Sequence, residues 1–167
     1  MGAEISRDYD QKKPLLVGIL KGSVVFLADL VRHITCELEV DFISISSYGD
    51  GTVSSGTVRL LKDLDRDISD RHVLVVEDIV DSGLSLSYIR RILLARHPAS
   101  LAIAALLDKP EKRTAEGLRV DYVGFRVADA FVVGYGLDYQ EGYRGLPYIG
   151  VMEEADLSPA GAADRLR

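Results

Sequence analysis

Val73-Leu74-Val75-Val76 is the strongest constraint this sequence places on its own fold. Four consecutive β-branched or leucine side chains suit a strand buried on both faces, which a helix-covered parallel sheet provides. Leu15-Leu16-Val17-Gly18-Ile19-Leu20 is a similar run, too short for a helix and closed by the turn Lys21-Gly22-Ser23. Between such runs the spacing becomes helical. Val24, Leu27, Val31 and Ile34 recur on one face, with Ser23 available as N-cap. Leu84 to His97 reads as another helix, with Arg90, Arg91, Arg96 and His97 towards the end where cations suit the helix dipole, and Pro98 just beyond. Further strands are expected near Leu38 to Ser46, Val58 to Lys62, Leu101 to Leu107 and Val120 to Val127. Apolar strands alternating with amphipathic helices predict an α/β fold with a parallel sheet flanked by helices.

The chain has 167 residues, enough for one domain with a sizeable core. That domain is expected to span residues 1–154, and the small, polar stretch 155–167 to be a disordered tail. No apolar run approaches the roughly 18 residues of a membrane span, and the polar start has no signal-peptide core. The single cysteine, Cys36, has no internal partner, so a reducing cytoplasm is the expected compartment. A net charge of −6 argues against broad nucleic-acid binding but not against one phosphorylated ligand in a cleft. His33, His72 and His97 lack metal-ligand spacing and read as surface residues. The Gly-, Ser- and Thr-rich stretch from Ser47-Tyr48-Gly49 to Thr57 cannot build core and reads as a mobile loop.

Chemistry concentrates in Glu77-Asp78-Ile79-Val80-Asp81-Ser82-Gly83-Leu84-Ser85. A buried strand ends in two acids, a tight turn follows, and a helix begins. In open α/β sheets ligands bind at the carboxyl ends of strands. The turn offers successive backbone N–H groups, the hydroxyls of Ser82 and Ser85 and a helix N-terminus, which together suit a phosphate. Glu77 and Asp78 suit vicinal ribose hydroxyls or a hydrated Mg²⁺. Asp81 is open to a simpler reading, as a cap on the helix.

This segment resembles the phosphoribosyl-pyrophosphate motif of the type I phosphoribosyltransferases, and its flanks resemble the hypoxanthine-guanine branch of that family. Leu20-Lys21-Gly22-Ser23 is similar to the family's pyrophosphate loop, and Ser47-Tyr48-Gly49 to the opening of its flexible catalytic loop. Leu107-Asp108-Lys109 and the stretch Phe131 to Tyr139, with Arg144 following, are similar to its purine and metal segments. The resemblance runs from about Val17 to Val151. It implies a mostly parallel central sheet flanked by helices, with a small hood and the catalytic loop. It also implies a non-proline cis peptide at Leu20–Lys21, and a further N-terminal segment, including part of a helix, before the residues matching Gly2 to Tyr9, so that a truncated or misassigned start is expected. Leu84 stands where some relatives have a polar residue.

The resemblance further implies transfer of a phosphoribosyl group from phosphoribosyl pyrophosphate to a 6-oxopurine, with Mg²⁺ as cofactor and a homo-oligomer, dimer or tetramer, as the working form. On this reading Asp81, Ser82, Gly83, Leu84 and Ser85 hold the 5′-phosphate, and Lys21, Gly22 and Arg144 the pyrophosphate. Glu77 and Asp78 serve ribose and metal, and Asp138 ligates metal beside the purine. Lys109, Phe131 and Val132 bind the purine, Asp81 is the general base, and the loop opened by Ser47 and Tyr48 excludes water. Two other readings remain at this point. One is a regulatory nucleotide- or RNA-binding protein on the same fold, which a basic face would favour. The other is a related transferase for xanthine, adenine or a pyrimidine; Lys109 and the Phe131 segment favour the 6-oxopurine.

Overall fold

The structure, a computed structural model, describes residues 1–47 and 58–153. Six strands form one sheet: β1 (Leu15–Leu20), β2 (Glu39–Ser47), β3 (Val58–Lys62), β4 (His72–Val80), β5 (Ser100–Asp108) and β6 (Tyr122–Arg126). Their spatial order is β3-β2-β1-β4-β5-β6. All neighbours are parallel except β2 and β3, which pair antiparallel at one edge. Among the described residues three α-helices accompany the sheet: α1 (Gly2–Asp8), α2 (Ser23–Arg32) and α3 (Leu84–Leu94). Two short strands, β7 (Val132–Val133) and β8 (Gly150–Val151), pair in a separate small sheet. No helix among the described residues is long and apolar enough to cross a membrane.

The period-2 alternation of strand side chains divides the core into two layers. On one face Leu16, Leu74 and Val76 pack with Phe26, Leu27 and Leu30 of α2 and Ile5 of α1. On the other, Leu15, Val17, Val73 and Val75 pack with Leu86, Ile89 and Leu93 of α3. Full burial of each such side chain contributes about 1.5–3 kcal/mol, so both faces of β1 and β4 are held firmly. From β1 the chain turns one way to β2 and then crosses back to β4 on β1's other side. The carboxyl ends of β1 and β4 therefore diverge at a topological switch point, the place where open α/β sheets bind ligands.

Several expectations need correction. β4 does not end at the acids but continues to Val80, with Glu77 paired to Ala105 and Val80 to Asp108 of β5. Ser23 is the first residue of α2 and not its cap: Gly22 holds the cap position, and the Ser23 hydroxyl donates to Ile19 O at 2.6 Å. α3 stops at Leu94, short of Arg96 and His97. His72 is half-buried, its Nδ1 2.7 Å from the Ser100 hydroxyl. The polar start contains α1, whose Ile5 is fully buried.

Candidate active site

Lys21 and Gly22 leave β1 through a cis Leu20–Lys21 peptide, as the resemblance implied. A Cβ on Gly22 would lie 1.7 Å from Asp78 Oδ2, so only glycine lets the β1 turn approach the β4 carboxylate so closely. Asp78 and Glu77 sit side by side near the end of β4. Glu77 Oε2 is buried and has no hydrogen-bond partner among the described residues. Burial first, and then the neighbouring Asp78, push the Glu77 carboxyl well above the usual range. Asp78 is raised too, by burial, with the Arg144 charge acting in the opposite direction. Two acids packed together, with one buried oxygen unmatched, fit a site for a divalent cation.

Past Val80 the chain turns sharply. Ser82 O accepts hydrogen bonds from the N–H groups of Thr114 and Ala115, each at 3.0 Å, which ties the turn to the loop after β5. Gly83 caps α3 in the left-handed region at φ 78°, and no side chain caps that helix. The cleft over this turn has a volume of about 160 Å³ and is lined by Glu77, Asp81, Ser82, Gly83 and Ser85 among others. The Leu84 N–H donates only a long bond, 3.4 Å, to the Ser82 hydroxyl, and a helix N-terminus held this loosely can turn its N–H groups to an anion. Leu84 is exposed and borders the turn through its backbone.

The same lack of a side-chain cap removes the simpler reading of Asp81. Its carboxylate instead meets Lys109 Nζ at 3.0 Å. The β4–β5 register explains this: Val80 pairs with Asp108, and the Lys109 N–H donates to Val80 O at 3.0 Å, so the next residues of the two strands face each other. Lys109 is only 5% exposed, unlike an ordinary loop lysine, and has Asp129 at 4.0 Å as a second anion. Arg113 pairs with buried Asp108 and donates to Leu118 O at 3.2 Å, pinning the loop that carries the lysine.

Phe131 is 42% exposed, so it is not core; its ring stands edge-on to Tyr139 with centroids 5.6 Å apart. Val132 begins β7, paired with Val151. Asp138 Oδ1 lies 2.8 Å from Arg144 Nη2, and Arg144 Nη1 donates to Gly136 O at 2.9 Å. Lys21 meets this loop through Glu141, at 2.9 Å.

The structure thus joins Lys21, Gly22, Glu77, Asp78, Asp138 and Arg144 in one linked group, and Asp81 with Lys109 in another on adjacent strand ends. Ser47 is the last residue of β2, while Tyr48 and the rest of the expected catalytic loop, 48–57, lie outside the described residues. Sequence reasoning missed Asp129 and Glu141. A Glu three residues before Arg144 in a polar turn was the only signal for the latter.

A family model described as phosphoribosyl transferase domain matches residues 1–140. The hypoxanthine-guanine phosphoribosyltransferase of Bacillus subtilis (strain 168) is 53% identical over 155 residues, covering 93% of this chain and 86% of that protein. Its namesake in Streptococcus pneumoniae (strain ATCC BAA-255 / R6) is 53% identical over 154 residues, covering 92% of this chain and 85% of that one. Among solved structures, a hypoxanthine phosphoribosyltransferase from Staphylococcus aureus superposes with a TM-score of 0.90 at 46% identity, covering 94% of this chain and 85% of that one.

Proposed function

The chain belongs to the phosphoribosyltransferase family, and from that premise we propose that it serves purine salvage as a hypoxanthine-guanine phosphoribosyltransferase. It transfers the 5-phosphoribosyl group of phosphoribosyl pyrophosphate to N9 of hypoxanthine or guanine, releasing pyrophosphate. The observation that carries the residue roles is the Asp81–Lys109 pair just past the ends of β4 and β5, beside a helix start with no side-chain cap. A carboxylate and a buried ammonium side by side match the N7–H and O6 of a 6-oxopurine.

The N–H groups at the start of α3, with the Ser82 and Ser85 hydroxyls, bind the 5′-phosphate and fix the sugar. Glu77 and Asp78 accept hydrogen bonds from the ribose hydroxyls. Lys21, the Gly22 backbone and Arg144 hold the pyrophosphate. Phe131 stacks on the base, the Val132 backbone bonds its edge, and Lys109 donates to O6. As the C1–oxygen bond to pyrophosphate breaks and the N9–C1 bond forms, C1 gains oxocarbenium character, as in other glycosyl transfers. Asp81 takes the N7 proton, a general-base step. Glu77, Asp78 and Asp138 would hold Mg²⁺, which supplies neutralisation of the leaving group's charge when bound.

Residues 1–154 form the catalytic domain, at work in a reducing cytoplasm as a homo-oligomer; the half-buried, unpaired Cys36 is consistent with that compartment. The test is nucleotide formation from phosphoribosyl pyrophosphate and Mg²⁺ with a panel of bases. Hypoxanthine and guanine should yield monophosphates, and EDTA should stop the reaction until Mg²⁺ is restored. Turnover with adenine or uracil alone would overturn the assignment.

A further inference from the structure

The turn Tyr139-Gln140-Glu141-Gly142 lies between the two segments assigned to the leaving diphosphate. Its ends are joined by backbone hydrogen bonds in both directions, Gly142 N–H to Tyr139 O at 2.9 Å and Tyr139 N–H to Gly142 O at 3.3 Å. Both central residues have positive φ, 50° at Gln140 and 63° at Glu141. Such turns favour Asn, Asp or Gly, and a glutamate adopts this backbone only against its steric preference.

That glutamate is held to the site by its side chain and by its backbone. Its Oε2 accepts from Lys21 Nζ at 2.9 Å across 120 residues of chain, and its Oε1 lies 3.4 Å from Arg144 Nη2. Its N–H donates to Asp138 Oδ2 at 2.9 Å. One carboxylate therefore bridges two cations, one on each oxygen, as a bound diphosphate would. Arg144 Nε is buried and has no partner among the described residues, so the guanidinium keeps donor capacity beyond its present bonds.

We infer that Glu141 is an internal counter-anion of the leaving-group site. It holds Lys21 and Arg144 in place while no diphosphate is bound, and it competes with the diphosphate for them. The inference rests on the assignment of those two cations to pyrophosphate. Exposure makes the competition reversible: both side chains of the Lys21–Glu141 pair are 66% exposed, so the contact is screened and readily exchanged. Glu141 is a positioning residue that lowers diphosphate affinity and speeds release of the product.

Glu141→Gln keeps the shape and removes the charge at an exposed position, so folding is checked simply by melting temperature. Binding of inorganic pyrophosphate in Mg²⁺ should tighten about three- to tenfold at low salt, the size expected when a screened anion stops competing for two cations. The gain should shrink at high salt and disappear in a Lys21→Ala background, while KM for hypoxanthine stays within twofold of wild type. Equal or weaker pyrophosphate binding in Glu141→Gln, with Lys21→Ala and Arg144→Ala each weakening it, would overturn the counter-anion alone. Unchanged binding in Lys21→Ala and Arg144→Ala would overturn the pyrophosphate assignment itself.

Discussion

Replacing Asp81 by asparagine separates chemistry from structure, because the amide keeps the side chain's shape but cannot accept the N7 proton. Loss of a positioned general base costs roughly 10²–10⁴-fold in rate, which is about 2.7–5.4 kcal/mol of barrier at 1.36 kcal/mol per tenfold. The structural cost is smaller and has an identified source. Among the described residues Asp81 caps no helix and its ion pair is with Lys109, at 3.0 Å, with side chains 51% and 6% exposed respectively. Breaking such a pair lies between ~1 kcal/mol for exposed partners and ~3 kcal/mol for buried ones. Asn retains an amide oxygen that can accept from Lys109, and Asp129 at 4.0 Å still faces the ammonium, so the lower figure applies. The melting temperature should fall by about 2–4 °C, and by more in Asp81→Ala. Affinity for phosphoribosyl pyrophosphate should change little, since the α3 N–H groups remain. Turnover is to be measured at 25 °C with saturating substrates, beside calorimetric melting of both variants. Near-normal turnover in Asp81→Asn would refute the reasoning and leave Asp81 as a partner of Lys109 only.

Lys109→Ala should raise KM for hypoxanthine about tenfold or more while phosphoribosyl pyrophosphate binding stays near wild type; the opposite split in steady-state kinetics would show the lysine serves the sugar. Gly22→Ala places a Cβ 1.7 Å from Asp78 Oδ2, so the β1 turn or the carboxylate must move. The cost is about 1–3 kcal/mol, with a loss of pyrophosphate affinity that titration calorimetry should detect. Glu77→Gln should stabilise the ligand-free protein at pH 7. The Glu77 carboxyl is raised by burial when folded, so folding is penalised at pH values above its folded pKa, and the penalty disappears as pH falls through that value towards the unfolded pKa. The wild-type melting temperature in EDTA should therefore depend on this group, and the Gln variant should melt higher yet lose stabilisation by Mg²⁺. A lower melting temperature would contradict the account of Glu77 as a buried acid with one unmatched oxygen.

The parallel sheet was legible because Val73 to Val76 and Leu15 to Leu20 carry only apolar side chains, and a strand buried on both faces needs just that. The extension of β4 to Val80 was not, since Glu77 and Asp78 look like a strand's end. Backbone pairing with β5 continues regardless of which side chains it carries. α1 escaped for a related reason: a seven-residue helix is marginal alone and forms here because Ile5 docks into the core. The turn between β4 and α3 was legible as a local motif, whereas the burial of Lys109 and its pairing with Asp81 follow from strand register. Glu141 was hidden most completely, because its contacts with Lys21 span the chain and its left-handed backbone carries no glycine to announce it.

The most direct test of the site as a whole is a crystal structure of the chain with inosine 5′-monophosphate. The account predicts the phosphate on the N–H groups and hydroxyls of residues 82–85. It also places O6 within about 2.7–3.2 Å of Lys109 Nζ, and N7 facing Asp81. A phosphate seated instead between Lys21 and Arg144, with the base away from Lys109, would contradict it.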